Sequence, residues 1–183
     1  QIVAGELPAT LDDSVADGVA MKAATVSGIY APGKDWYNAL PYIWAHGGEL
    51  AVKDGDKWDA QFSSDKSVEG LKQLQEVYLK ATNAPADGDE ANLQVPFCAG
   101  EVGFLSAPGW VKWSLLTPPA GARAQGCPDT FGKDLAAFPL PGLKAGETAP
   151  IFAGGSNVAV AAKSKSPEMA KAALKVLLSS GYQ

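Results

Sequence analysis

The chain has 183 residues, of which 46% are hydrophobic and 19% charged, and a formal net charge of -5. That balance describes a folded globular chain of one domain, or one domain plus a piece of another, and argues against disorder. The negative charge and the single arginine, Arg123, disfavour nucleic acid and a guanidinium clamp for phosphate, since both need clustered cations.

The longest mostly apolar run, Val158 to Ala162, is far too short to cross a bilayer. No basic and apolar leader stands at the start, so a signal peptide has been removed or was never included. Gln1 is not preceded by an initiator methionine, and the last residues follow directly on a helix pattern. The sequence therefore reads as a fragment of something larger.

Pro8 to Asp13 reads as a loop entering a helix, with Thr10 as N-cap and Asp12 and Asp13 in the first turn, where carboxylates suit the helix dipole. Ala24 to Tyr30 alternates as a strand does, and Ala31-Pro32-Gly33-Lys34 turns out of it. Asp35 is expected to cap a helix running to Ala45, with Pro41 as a kink or an early-turn residue and Gly47-Gly48 as its left-handed stop. This helix is unusual in packing Trp36, Tyr37, Tyr42 and Trp44 into one short stretch. Such rings join a wide apolar face to a polar tip. They suit a ligand with C–H faces to stack and hydroxyls to bond, as a sugar has, although a helix packed on a sheet is the plainer reading.

Glu49 to Lys53 and Lys57 to Asp59 flank Asp54-Gly55, a hairpin signal. Ser64 then caps a helix whose buried stripe is expected to be Val68, Leu71, Leu74, Val77 and Tyr78, ending near Ala81. Asn83 to Asn92 is a polar, acidic loop, and Phe97 and Gly100 precede a short strand, Val102 to Ser106. Pro108-Gly109-Trp110 turns into a helix carrying Trp113 and Leu116, and Pro118 to Thr130 is loop. Leu135 to Phe138 and Asn157 to Ala162 are further candidate strands, separated by the break Pro139-Leu140-Pro141-Gly142. Ser166-Pro167-Glu168 opens the last helix with cap, N1 proline and acidic first turn. Strands alternating with helices make this an α/β chain.

Cys98 and Cys127 lie near Gly or Pro in loop-like surroundings and form either one disulfide or two independent thiols. A bridge would close a loop of about 30 residues, worth roughly 3–4 kcal/mol in the chain-entropy model, and would indicate an oxidising compartment. Neither cysteine belongs to a C-x-x-C pair and there is one histidine, so metal binding is not expected.

Catalytic signatures are weak. Gly33-Lys34-Asp35 and Gly132-Lys133-Asp134 lack the Ser or Thr of a phosphate loop. Gly154-Gly155-Ser156-Asn157 lacks the second glycine spacing of a nucleophile elbow. His46 would have to serve any triad, yet it stands at a helix end, where a histidine beside the last carbonyls is ordinary. Asp54 to Asp59 fits a solvated hairpin better than a calcium loop. A glycoside hydrolase needs two opposed carboxylates, and no local signature marks such a pair.

Taken in order, several segments resemble the family 1 extracellular solute-binding proteins of ABC importers, the maltose- and oligosaccharide-binding group. They are Pro8-Ala9-Thr10, the aromatic helix with Ala45-His46-Gly47-Gly48, the helix from Ser64, Phe97-x-x-Gly100 before a strand, and Gly109-Trp110. Pro139-Leu140-Pro141-Gly142, Gly154-Gly155-Ser156-Asn157 and the segment from Ser164 to Leu178 complete the series. The resemblance spans nearly the whole chain. It implies a type II periplasmic-binding-protein-like fold, a mixed sheet flanked by helices, in an incomplete two-lobed architecture. Residues 1–138 would form most of the second ligand-binding lobe, 139–150 a hinge crossing, and 151–183 a strand and helix belonging to the first lobe.

The resemblance further implies a carbohydrate receptor, outside the cytoplasm, that delivers its ligand to permease subunits without chemistry or cofactor. The membrane is involved only through a lipid anchor or the permease, and the full-length protein would be a monomer. Carried over position by position, the ligand-binding set is Trp36, Tyr37, Trp110, Gly155, Ser156 and Asn157, with Trp44 and Trp113 read as core. The alternatives are a carbohydrate-active enzyme with an unrecognised carboxylate pair, and a non-transport sugar sensor or adhesion module on the same fold.

Overall fold

The computed structural model describes residues 7–116, 127, 135–155 and 157–182. They fall into two compact units, Gln1–Phe152 and Ala153–Gln183.

In the first unit, α1 (Leu11–Lys22) starts where expected, because the Thr10 hydroxyl accepts from the Asp13 N–H while the Asp13 carboxylate accepts from the Thr10 N–H. This reciprocal capping box satisfies two groups that a helix end leaves open. Strand β1 (Ser27–Tyr30) is shorter than the sequence suggests, since the Ala24 and Thr25 amides still close turns onto Met21. It pairs in parallel with β4 (Val102–Leu105), in the register Ser27↔Val102 and Ile29↔Phe104. Parallel pairing needs a long crossover, and everything from residue 31 to residue 101 supplies it.

That crossover holds α2 (Leu40–Ala45), the hairpin β2 (Ala51–Asp54) and β3 (Lys57–Ala60), α3 (Asp65–Glu76), a π turn over Val77–Ala81, and α4 (Gln94–Cys98). The expected helix from Asp35 is corrected: only Leu40–Ala45 is helical. Pro41 has no N–H and its ring collides with the carbonyl four residues back, so it is tolerated only in a first turn. Gly47 takes φ +75°, and the Gly47 and Gly48 amides bond Trp44 O and Ile43 O at 2.9 Å each. This is the Schellman stop that the double glycine announces. The hairpin has Asp54 paired with Lys57 around a two-residue loop, with Gly55 at φ +57°.

Ser64 caps α3, but the buried stripe is Ser67, Gly70 and Leu74, continuing to Val77 and Ala81, while Leu71 is exposed. Gly70 explains the rotation, because a Cβ there would collide with the backbone of Tyr42 and Ile43. The two helices meet at main-chain distance, and the small residues face inward. The main core gathers Leu11, Ile29, Tyr42, Leu74, Val77 and Ala81. A second cluster joins Val111 and Leu115 of α5 (Gly109–Leu116) to Cys127, with Phe97, Cys98 and Leu135 packed against it. The side chains of Trp113 and Leu116, and Pro118 to Thr130 apart from Cys127, lie outside the described residues.

Leu135 to Phe138 is not a strand; it lies against the second cluster through Leu135. The Pro139 to Pro150 segment folds back on itself through a bridge between Pro141 and Thr148, and Gly142 O accepts the Leu11 amide at 2.8 Å.

In the second unit, Asn157 to Ala162 is not a strand either, having no ladder partner among the described residues. Helix α6 (Pro167–Leu177) carries its N1 proline and Glu168 as expected, but Ser166 makes no side-chain cap bond and no residue of the helix is buried.

Candidate functional site

The aromatic residues sit on the carboxyl edge of the parallel pair. The chain leaves β1 into residues 31–39, which carry Trp36 and Tyr37, and leaves β4 into residues 106–108, which lead to Trp110. Because the two strands run in the same direction side by side, these loops must emerge at one edge. Asn38 fastens them together: its amide Nδ2 donates to Ser106 O at 3.0 Å, and the Ser106 hydroxyl donates to Asn38 Oδ1 at 2.9 Å. In open α/β sheets this edge is where ligands bind.

Asp35 stands behind the loop, 3% exposed. Its carboxylate accepts from both the side chain and the backbone amide of Asn38. Burial pushes its pKa up, Asn38 hydrogen bonds pull against that, and the charge of Glu90 adds to the rise. The chain Asp35–Asn38–Ser106 thus pins the aromatic loop from beneath, and its polar groups are satisfied by one another. Tyr42 is different: it is buried in the main core, and burial pushes its phenol up to about 12. It belongs to packing.

Trp36 is 50% exposed and lies over Tyr37, their ring centroids 3.9 Å apart and their planes 30° from parallel. Phe152 meets both, edge-on to Trp36 at 5.5 Å and tilted to Tyr37 at 5.3 Å. It also lies nearly parallel to Trp44 at 6.3 Å. The expectation that Trp44 is core is therefore corrected: it is half-buried and joins the aromatic group, outside the packed core. The inward positions of α2 are taken by Leu40, Tyr42 and Ile43. Trp110 is 57% exposed in the first turn of α5.

Gly155 and Asn157 are exposed in the second unit, and Ser156 lies outside the described residues. The structure thus brings together Trp36 and Tyr37 and puts Trp110 on the helix that follows the same sheet edge. Sequence reasoning missed Phe152 and the Asp35–Asn38–Ser106 support. No local signal marks Phe152, since its partners lie more than 100 residues away in the chain.

Cys98 and Cys127 are bridged, with Cα atoms 4.8 Å apart and a separation of 29 positions in sequence. Cys98 is not in a loop but ends α4, and Cys127 is buried against Val111 and Leu115. His46 is the C-cap residue of α2, and its Nε2 pairs with Gln73 Oε1 at 2.9 Å, tying α2 to α3. No metal-holding group occurs among the described residues, and no described helix is long and apolar enough to cross a membrane.

The profile of the family described as bacterial extracellular solute-binding protein matches residues 2–183. The chain is 35% identical over 181 residues to the diacetylchitobiose-binding protein DasA of Streptomyces coelicolor, covering 97% of this chain and 40% of that one. Among solved structures, a cyclo/maltodextrin-binding protein complexed with maltotetraose superposes with a TM-score of 0.62 at 18% identity. That match covers 97% of this chain and 44% of the other. The GacH receptor of Streptomyces glaucescens, solved unliganded and with acarbose, gives 0.59 at 23% identity over 84% of this chain and 39% of its own. These two likenesses establish the fold, a type II periplasmic-binding-protein architecture. The chain spans less than half the length of each of these proteins.

Proposed function

Because the chain belongs to the bacterial extracellular solute-binding proteins, we propose that the protein containing it is a carbohydrate receptor working outside the cytoplasm. It binds a neutral oligosaccharide and delivers it to an ABC-type permease. The observation that carries this reading is the aromatic group of Trp36, Tyr37, Trp44 and Phe152 at the carboxyl edge of β1 and β4. Half-exposed rings offer flat apolar faces to the C–H side of a sugar, and neighbouring polar groups take its hydroxyls. The single arginine of the chain, Arg123, favours an uncharged ligand.

Binding by itself then does the work. Ligand shifts an open–closed equilibrium between lobes only through contacts that improve on closure. The family resemblance is what adds Gly155, Ser156 and Asn157, and Trp110 as a stacking ring, to the proposed ligand set. No covalent step is involved. The relative at 35% identity is named for diacetylchitobiose, so that disaccharide is the first probe.

The test is thermal melting of the complete protein against diacetylchitobiose, maltotetraose and acarbose. A ligand at about 100 times its Kd contributes roughly 2.7 kcal/mol, which raises Tm by several degrees. Unchanged melting across the panel, with folded protein, overturns the proposal.

A further inference from the structure

We infer that the Cys98–Cys127 bridge positions Trp110: it covers the inner face of α5, fixes the direction of that helix, and so aims the ring at its first turn. The inference rests on the carbohydrate reading above for its ligand, and its geometry lies within the first unit. With eight residues, α5 is too short to be a stable helix in water by itself, so its direction is set by what it packs against. Val111 and Leu115 are buried, four positions apart and therefore on one face. Among the described residues, the one other buried member of their cluster is Cys127. The Cys127 amide also donates to Leu115 O at 3.2 Å, satisfying one of the carbonyls that a helix end leaves open. Cys127 is tied covalently to Cys98, the last residue of α4. The bridge thus carries the seat of α5.

The other end of α5 is bare. Pro108, Gly109 and Trp110 are exposed, and among the described residues nothing lies within 4 Å of where a Gly109 Cβ would stand. Trp110 directly precedes Val111, and neighbouring helix residues point about 100° apart. Burial of Val111 therefore dictates the direction in which the Trp110 ring leaves the helix. Without the bridge, Val111 and Leu115 lose their buried cover and α5 is free to turn and fray, as segments with few buried apolar contacts do. The ring must then be ordered at the moment of binding, which costs affinity.

The experiment is calorimetric titration of the complete protein with diacetylchitobiose, well below the melting temperature of the least stable variant. Cys98→Ser with Cys127→Ser removes the bridge, while Val111→Ala keeps the bridge and loosens α5 from it. Each is made with Trp110 present and with Trp110→Ala. With Trp110 present, either change should raise Kd at least about threefold at unchanged stoichiometry. In the Trp110→Ala background the same changes should raise Kd by less than about 1.5-fold, because the ring through which the bridge acts is gone.

Unchanged Kd in the serine pair overturns the inference. So does an equal loss in both backgrounds, or a loss confined to stoichiometry, which reports only unfolded protein. If the serine pair does not fold, Val111→Ala decides by the same criteria. If the unaltered protein binds none of the sugars, the carbohydrate reading fails by itself. Near-UV circular dichroism then tests the bridge, with the Trp110 signal taken as the difference made by Trp110→Ala. A smaller Trp110 signal in the serine pair than in the bridged protein, at equal far-UV signal, supports the inference, and an equal one overturns it.

Discussion

Replacing Trp110 with alanine separates a ligand-stacking side chain from a packing one. The ring is 57% exposed in the first turn of α5. A Trp side chain offers roughly 200 Å² to its surroundings, so the uncovered part is about 110 Å². Covering all of it at ~25 cal/mol per Å² would contribute ~2.8 kcal/mol. A sugar shields only part of one face, so about half, ~1.4 kcal/mol, is the fair expectation, or roughly tenfold in Kd. The fold should barely notice, because exposed substitutions usually fall within about 0.5 kcal/mol. Calorimetric titration of the complete protein with diacetylchitobiose, beside a thermal melt without ligand, measures both quantities. Unchanged affinity would remove Trp110 from the site. A large loss of Tm without ligand would refute the reasoning differently, by showing that the exposed ring is held in packing.

Two further expectations concern stability. Replacing Cys98 and Cys127 together by serine, or reducing the native bridge, should cost about 3–4 kcal/mol by denaturant unfolding, the value for a loop of this length; an unchanged midpoint would mean the bridge restrains nothing in the unfolded chain. Asp35 has its pKa raised by burial, and the sign follows from proton binding. The folded state holds the proton more tightly than the unfolded chain, so the contribution to stability is fully present below the unfolded value and is lost as pH rises through the folded one. Relative to Asp35→Asn, the natural protein should therefore lose Tm steadily from pH 3.8 upward until Asp35 is ionised, then run parallel. A difference independent of pH across that range would contradict the burial assigned to Asp35.

Much of the local structure was legible because its causes lie within a few residues. Thr10 and Asp13 cap each other across one turn, Gly47-Gly48 can adopt the backbone that ends α2, and Gly55 permits the hairpin loop. These are contacts between near neighbours, which a linear sequence displays directly. The aromatic stretch and Trp110 were likewise visible as residue types, and their order along the chain carried the family resemblance.

Elements that depend on a distant partner were not legible in that way. Asn157 to Ala162 has the composition of a strand but no ladder neighbour among the described residues, and composition cannot supply one. Leu71 has the spacing of a core residue, yet Gly70 brings α3 so close to α2 that the smaller face turns inward. The Cys98–Cys127 pairing stood open as bridge or free thiols until the fold set their Cα atoms 4.8 Å apart.

The division follows from range. Helix caps, turns and the α/β class come from interactions that the sequence carries at short separation, so residue order alone was enough for them. Where Trp36, Tyr37, Trp44 and Phe152 meet, and that Asn38 and Ser106 tie two strand ends together, was decided by the parallel pairing of β1 with β4 and the return of the chain at residues 150–152. Burial and contact are properties of three dimensions, and only the folded chain brings such distant residues to one edge.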